Sequence, residues 1–259
     1  MTERIIEKKE GAVGWLVFNN PERRNAVSVD MWQAIPSVLS KFEKDPDIRV
    51  VVLAGAGDKA FVSGADISQF EKQRSGAEAV QQYEVLAEAA QAKLTGFEKP
   101  LVAMIRGYCL GGGLNIANNC DLRIAADDAR FGIPAAKMGL GYRASSMKAL
   151  VDVVGVPFAK EIMITARQFS AAEALRMGLV HHVVPVSELE SFTRKYCEDI
   201  VANAPLTMRA AKRIIREVSR VEYDAAQTRA WAKECFESED YAEGRKAFME
   251  KRKPAFKGR

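Results

Sequence analysis

The sequence predicts an α/β core closed by a layer of helices, on three observations. Apolar runs rich in branched residues at 13–18, 49–54 and 101–106 read as buried strands. Helical patterns alternate with these runs through about residue 185. From Glu188 onward the chain is helical and strongly charged, with no further strand.

Each element has a local reason. The run VGWLVF at 13–18 is continuously apolar, as a buried strand requires. Ser28 is a favourable N-cap for a helix that runs toward Asp45, with Pro36 as its weak point. The strand at 49–54 leads into Gly55-Ala-Gly57-Asp-Lys-Ala60, which has the spacing of a dinucleotide-binding turn. Such a turn must open a helix, and Phe61-Val-Ser-Gly64 is too short and too β-like to be one, so no dinucleotide site is expected. A second helix covers about 77–97, and the strand at 101–106 leads to a third that begins at the glycines 111–113. Residues 122–125 and the surroundings of Val183 are shorter strand candidates. Ser170-Ala-Ala-Glu173 is a capping box that opens a short helix, closed by Gly178.

Composition narrows the function classes. With 259 residues, 48% hydrophobic and 28% charged, the chain is long enough for a large core and one or two domains. A net charge of +4, spread along the chain, gives no support for a nucleic-acid partner. No apolar run approaches the ~20 residues of a membrane span. The first ten residues mix both charges and lack the apolar centre of a signal peptide. Cys109, Cys120, Cys197 and Cys235 form no CxxC pair, and the two histidines, His181 and His182, are adjacent. The expectation is a cytoplasmic protein with reduced thiols, no metal and no separate cofactor.

The glycines pose the functional question. Gly111, Gly112 and Gly113 open an otherwise helical segment, although each costs a helix roughly 0.5–1 kcal/mol relative to alanine. One reading is that bare backbone lets a ligand oxygen reach the unpaired N–H groups of a helix start. The other is tight packing of the helix on the sheet, and these residues alone do not separate the two. A second run of small residues, Ser63-Gly64-Ala65, follows the strand at 49–54 and also exposes backbone. Two N–H donors converging on one oxygen would make an oxyanion hole.

The segments NPERRNAVS (20–28), VVVLAGAGDKAFVSGADI (50–67), KPLVAMIRGYCLGGGLNIANNCDLRIA (99–125) and FGIPAAKMGLG (131–141) resemble the crotonase superfamily, the enoyl-CoA hydratase/isomerase family. SAAEALRMGLVHHVVP (170–185) and SEDYAEGRKAFMEKRKPAF (238–256) continue the match, which spans nearly the whole chain in order. The resemblance implies a crotonase-like spiral of ββα units over 1–195, and a C-terminal helical oligomerisation region over 196–259. It implies homotrimers or dimers of trimers, and coenzyme A only as part of the substrate. The oxyanion donors fall at Ala65 and Gly112. Arg24, Ala26, Val27, Ser63, Asp66, Ile67 and Gly111 would contact the acyl-CoA, and Lys251 its phosphates.

The family's hydratases use two glutamates, and here those positions are Asn115 and Ala135. An amide holds a water or a substrate group but takes no proton from it, and alanine does neither. Dehalogenase and dienoyl isomerase branches carry an aspartate where this chain has Arg143. Gly139-Leu-Gly-Tyr142 and the C-terminal segment look most like the methylmalonyl-CoA decarboxylase branch, although that branch's glutamate falls at Asn115 and its histidine at Ala65. Decarboxylation needs an enolate stabiliser and a later proton donor, but no base. The leading expectation is therefore a decarboxylase-like lyase in which Tyr142 or a bound water returns the proton. The alternatives are a hydratase or isomerase with a base from elsewhere, and a non-catalytic acyl-CoA-binding scaffold. Arg143 either meets a substrate carboxylate or forms a surface or interface pair. Tyr142 and Asn115 otherwise line the pocket, Asp66 fixes its loop, the histidines are structural, and Cys109 is a small buried residue.

Overall fold

The computed structural model describes residues 2–66 and 77–259. Six strands form one sheet in the order β1 (Ile5–Glu10), β2 (Val13–Phe18), β3 (Val50–Gly55), β5 (Leu101–Ile105), β7 (Leu122–Ala126) and β10 (His182–Val184). The β1–β2 pair is antiparallel and the remainder of this sheet is parallel. A second sheet holds β4 (Ala60–Val62), β6 (Tyr108–Leu110), β8 (Arg130–Gly132) and β9 (Phe169–Ser170). The helices are α1 (Val29–Lys44), α2 (Ala77–Gly96), α3 (Gly112–Asn118), α4 (Ala144–Thr165), α5 (Ala171–Arg176), α6 (Leu189–Val201), α7 (Pro205–Val218), α8 (Ala225–Phe236) and α9 (Glu239–Glu250). Gly155, at φ +71°, breaks α4 into two parts.

Three successive turns of chain repeat one path. β3, β5 and β7 each enter the large sheet, β4, β6 and β8 follow in the small one, and α2, α3 and α4 close the turns. This is the expected spiral of ββα units. Strand β3 shows why its sequence is apolar throughout. Val51 and Leu53 face the main core between sheets and helices, whereas Val50 and Val52 face a second cluster under α6. Leu189, Cys197 and Ile200 of α6 belong to that second cluster. The boundary expected at 195/196 therefore falls inside a helix that packs on the core sheet.

Several small elements escape pattern reading. β4, β6 and β8 are three residues each, too short to display a period of two. β1 carries Glu7, Lys8, Lys9 and Glu10 on an edge of the sheet, where charge is tolerated and discourages further strand pairing. Ser28 does occupy the N-cap position of α1, but its hydroxyl donates to the Asp30 carboxylate and makes no cap bond.

The capping box at α5 forms as expected. The Glu173 N–H donates to Ser170 Oγ at 3.3 Å, and the Ser170 N–H donates to Glu173 Oε2 at 2.8 Å. The Ser170 N–H, followed by Arg167, holds the Glu173 carboxyl down at about 2. A depressed carboxylate stabilises the fold above its unfolded value, near 4.5, and that contribution disappears as pH falls through 2. Ser170→Ala should lower the free energy of unfolding by about 1 kcal/mol, read from urea denaturation at neutral pH. The difference between Glu173→Gln and the parent should shrink as the measurement moves from pH 6 toward pH 2.

Candidate active site

Register brings the two small-residue runs together. In the small sheet Val62 of β4 pairs with Cys109 of β6, so residues 63–65 and 110–112 leave neighbouring strand ends side by side. Ala65 is then held by a parallel bridge to Val27. The Val27 N–H donates to the Gly64 carbonyl at 2.8 Å, and the Asp66 N–H donates to the Val27 carbonyl at 3.0 Å. Those bonds use the groups on either side of Ala65. In extended backbone the N–H of Ala65 therefore points away from Val27. On α3, Gly112 is the first helical residue and its N–H has no intrahelical acceptor. A Cβ placed on Gly112 would lie 3.9 Å from the Ala65 nitrogen. Both donors border one space.

The three glycines serve three purposes. Gly111 has φ +52°, which lets the chain turn from β6 into α3. Its N–H donates to the Gly132 carbonyl at 2.9 Å, and its own carbonyl accepts from the Asn115 N–H at 3.1 Å. Gly113 is a packing residue, because a Cβ there would stand 2.1 Å from the Val62 carbonyl oxygen. Gly112 alone is bare for the cavity's sake, since a Cβ there meets nothing closer than 3.8 Å. Tight packing accounts for Gly113, and Gly112 borders open space.

These donors open into a cavity of about 210 Å³. Asn115 and Tyr142 line it beside Gly111 and Gly112. Burial pushes the Tyr142 hydroxyl up to about 12, although the Asn115 side chain, hydrogen-bonded to it, pulls the other way. Asn115 is only 5% exposed, and its Oδ1 has no hydrogen-bond partner among the described residues. Trp32 forms part of the wall and donates from Nε1 to the Tyr83 hydroxyl at 2.9 Å. Ala135 lines the cavity as the buried residue of the turn Pro134–Met138, and its side chain contributes no polar group.

Sequence reasoning missed the charged wall. Glu84 and Glu88 of α2 both line the cavity and both hold Arg143, which is the N-cap residue of α4. Arg143 Nη2 stands 2.7 Å from Glu84 Oε2, and Nη1 pairs with Glu88. The expected surface or interface pairing of Arg143 is thus a clasp within the chain, between α2 and α4. Residues 84, 87, 88 and 91 at i, i+3, i+4 and i+7 were the available signal.

A family model described as enoyl-CoA hydratase/isomerase matches residues 8–259. The chain belongs to the enoyl-CoA hydratase/isomerase family. It is 37% identical over 259 residues to the short-chain-enoyl-CoA hydratase of Clostridium acetobutylicum, with 98% of each chain covered. It is 34% identical to the peroxisomal Delta(3,5)-Delta(2,4)-dienoyl-CoA isomerase of Arabidopsis thaliana, covering 98% of this chain and 96% of that one. The crystal structure of an enoyl-CoA hydratase/carnithine racemase from Magnetospirillum magneticum superposes with a TM-score of 0.94 at 33% identity, covering 100% of this chain and 97% of that one. The chain is thus an acyl-CoA-processing member of the crotonase superfamily.

Within this enoyl-CoA hydratase/isomerase fold the remaining candidates divide. Ser63 lines the cavity, and its N–H donates to the Arg24 carbonyl at 3.1 Å. Arg24 is exposed at φ +51°, with its guanidinium carbon 4.9 Å from the centre of the Tyr108 ring. Ala26 and Val27 are buried, and both backbone polar groups of Val27 are committed to the bridge. Val27 therefore fixes the loop that carries Ala65. Asp66 accepts from Arg23 Nη1 at 3.2 Å, tying the two loops together. Asn25, also missed, is fully buried at φ +56°: its Nδ2 donates to the Ala56 and Ala60 carbonyls, and its Oδ1 accepts from the Asn20 N–H. Ile67 lies outside the described residues. Lys251 does not join the cavity of its own chain. It ends α9, and the segment it leads is anchored where Arg49 donates to the Phe256 carbonyl, before β3 begins.

His181 Nδ1 accepts from the Arg123 N–H at 3.1 Å and His182 packs on Phe192 and Tyr196, so neither histidine lines the cavity. Cys109 is fully buried, which pushes its thiol well above the ordinary range. The segment 55–60 leads straight into β4 with no helix, and a Cβ on Gly55 would stand 2.2 Å from the Ala60 carbonyl oxygen.

Two single substitutions separate packing from binding at adjacent residues. Gly113→Ala should destabilise the fold by about 1–3 kcal/mol or more, because a backbone carbonyl must move. Gly112→Ala should unfold at an unchanged or slightly higher urea midpoint while weakening acyl-CoA binding at least tenfold. Equal loss of stability in both variants would contradict the division of roles.

Proposed function

We propose that the chain binds an acyl-CoA thioester with its carbonyl oxygen between the N–H groups of Ala65 and Gly112, and that a thioester enolate held there is the reactive species. A preorganised donor of this kind is worth about 2.7–4 kcal/mol of transition-state stabilisation. The choice of reaction rests on the charged wall. Glu84 and Glu88 are the carboxylates that line the cavity among the described residues, and both already hold Arg143. A malonyl-type thioester would bring a further carboxylate to a wall with two negative groups and one paired positive group. An uncharged enoyl thioester meets no such repulsion.

We therefore favour hydration or double-bond isomerisation of an enoyl-CoA, with an α2 carboxylate as base in place of the glutamates absent at 115 and 135. In hydration, the water oxygen bonds to the β-carbon and its proton passes to Glu84 or Glu88. The α-carbon of the enolate takes the Tyr142 proton, and the protonated glutamate then restores Tyr142. Asn115 orients the water through its unpartnered oxygen. The hydratase and isomerase names of the relatives support this reading. Decarboxylation stands second, favoured by the neutral character of Asn115, Ala135 and Tyr142 around the oxyanion donors.

Purified protein should hydrate or isomerise crotonyl-CoA and related enoyl-CoA thioesters, followed by loss of conjugated absorbance and by product analysis. Release of CO₂ from a malonyl-type CoA without hydration would move the assignment to the second reading. Binding of a saturated acyl-CoA with no turnover would leave a scaffold. Tyr142→Phe should lower kcat by about 10²–10⁴ while leaving the Kd for a saturated acyl-CoA unchanged. Burial raises the Tyr142 pKa to about 12, so the proton donor survives through pH 10, where an ordinary tyrosine ionises. The rate should show no alkaline loss attributable to this group below pH 11.

We also propose a cytoplasmic homotrimer or dimer of trimers. The C-terminal helices and adjoining loops expose Ile215, Val221, Phe236, Phe248 and Met249, an apolar surface suited to a second copy. No described helix is long and apolar enough to cross a membrane. In such an assembly Lys251 would reach coenzyme A phosphates from a neighbouring copy. Light scattering should return three or six times the chain mass of 28.6 kDa.

A further inference from the structure

The net charge of +4 is spread along the sequence, but the fold gathers part of its positive charge in one place. A second cavity, of about 300 Å³, lies where β3 and β5 begin, between the end of α1, the first turns of α7 and the C-terminal segment. Lys44, Arg49, Lys99, Arg209 and Lys257 all line it, each from a different part of the chain. This is not the acyl-CoA cavity, and the two share no lining residue among those described. Helix α1 gives the separation: Trp32 lines the first cavity and Lys44 the second, about 18 Å farther along at 1.5 Å per residue.

The cations of this second cavity are poorly matched from within the chain. Glu43 and Glu98 also line it, but Glu43 pairs with Lys93 and Glu98 with Arg213, and neither partner lines the cavity. Lys99 donates to the Phe42 and Asp45 carbonyls, and Arg49 to the Phe256 carbonyl. The side chains of Lys44, Arg209 and Lys257 have no hydrogen bond or ion pair among the described residues. Arg209 is half-buried, so water solvates its guanidinium only in part. An unpaired guanidinium in that position is unfavourable, and four further cations around the same space add repulsion. A bound anion relieves both.

The arrangement also bears on which anion. A monocarboxylate brings one charge and two oxygens in one plane. A phosphoryl group brings up to two charges and three oxygens directed apart, and guanidinium groups engage it through paired N–H donors. Cations that arrive from several sides suit the second geometry. We propose that this cavity binds a phosphorylated small molecule through Arg209, Lys44 and Lys257, at a site separate from the acyl-CoA cavity. Arg49 and Lys99 are anchored to backbone carbonyls and supply fixed positive charge at its base. The site takes no part in the reaction proposed above and does not rest on it.

Calorimetric titration of the full-length protein with inorganic pyrophosphate, at physiological ionic strength, tests this. One pyrophosphate should bind per chain with a Kd below about 1 mM, and succinate about tenfold more weakly or worse. Arg209→Gln should weaken pyrophosphate about tenfold or more, and Lys44→Gln and Lys257→Gln about threefold to tenfold each. None of the three removes a side-chain hydrogen bond or ion pair among the described residues, so their urea midpoints should match the parent's. Lys160→Gln, which removes an exposed cation on α4, should leave the isotherm unchanged. Saturating butanoyl-CoA should leave it unchanged too. Absence of saturable binding below about 10 mM overturns the proposal. So does equal weakening by Lys160→Gln, which would mark a diffuse charge effect. Succinate binding as tight as pyrophosphate overturns the phosphate assignment, and displacement by butanoyl-CoA overturns the separate site.

Discussion

The approach of Gly113 to the Val62 carbonyl is the constraint on which the site depends. A Cβ at 113 would sit 2.1 Å from that oxygen, so α3 lies as close to β4 as backbone allows. Val62 leads directly into residues 63–65, and Gly113 directly follows Gly112. One contact therefore packs a helix on a sheet and sets the separation of two N–H groups. The Val27–Ala65 bridge fixes the other donor, and buried Asn25 fixes the loop that carries Val27. At the far end of α3, Arg123 donates to the Cys120 and Leu179 carbonyls, both at 2.7 Å. A cation there suits the negative end of the helix. Dipoles held this firmly need little reorganisation when charge develops on a bound oxygen.

Charge is distributed around the cavity in two zones. Near the oxyanion donors, the side chains are neutral: Asn115, Ala135 and Tyr142. Farther out, Glu84, Glu88 and Arg143 form a half-exposed cluster that joins α2 to α4. The neutral zone explains the state of Tyr142. Burial disfavours the phenolate, and the amide of Asn115 offsets that only in part. A hydroxyl in this setting keeps its proton at neutral pH and yields it only to a stronger base, such as a carbanion. The carboxylates that line the cavity among the described residues stand in the outer zone.

How much of this was legible in the sequence follows from length and period. β2, β3 and β5 are five or six residues of apolar chain, and their positions agree with the pattern to within a residue. The capping box at Ser170 announced its helix through purely local chemistry. β4, β6 and β8 were invisible, because three residues cannot show alternation and their pairing partners lie far along the chain. The glycines pointed to exposed backbone, yet only the Val62 contact assigns packing to Gly113 and access to Gly112. Motifs found the family. They could not show that the backbone groups of Val27 enter a contact between loops nearly forty residues apart. Arg143 could be read as a substrate ligand only while its partners on α2 were unseen.

The division between backbone and side chain explains why family and reaction separate so cleanly in this chain. The proposed oxyanion donors are main-chain N–H groups, so they survive any substitution that preserves the turn and the close helix packing. The reaction depends on which side chains line the space in front of them. With an amide at 115 and alanine at 135, the only cavity-lining carboxylates among the described residues belong to α2. That helix is held by packing and by the Arg143 clasp, not by the glycine turn. The proposed base and the proposed oxyanion donors therefore rest on different parts of the fold: the Arg143 clasp for one, the Val62 and Val27 contacts for the other. In the proposed reaction, binding of the thioester and transfer of its proton would then be coupled through the acyl group that spans the two.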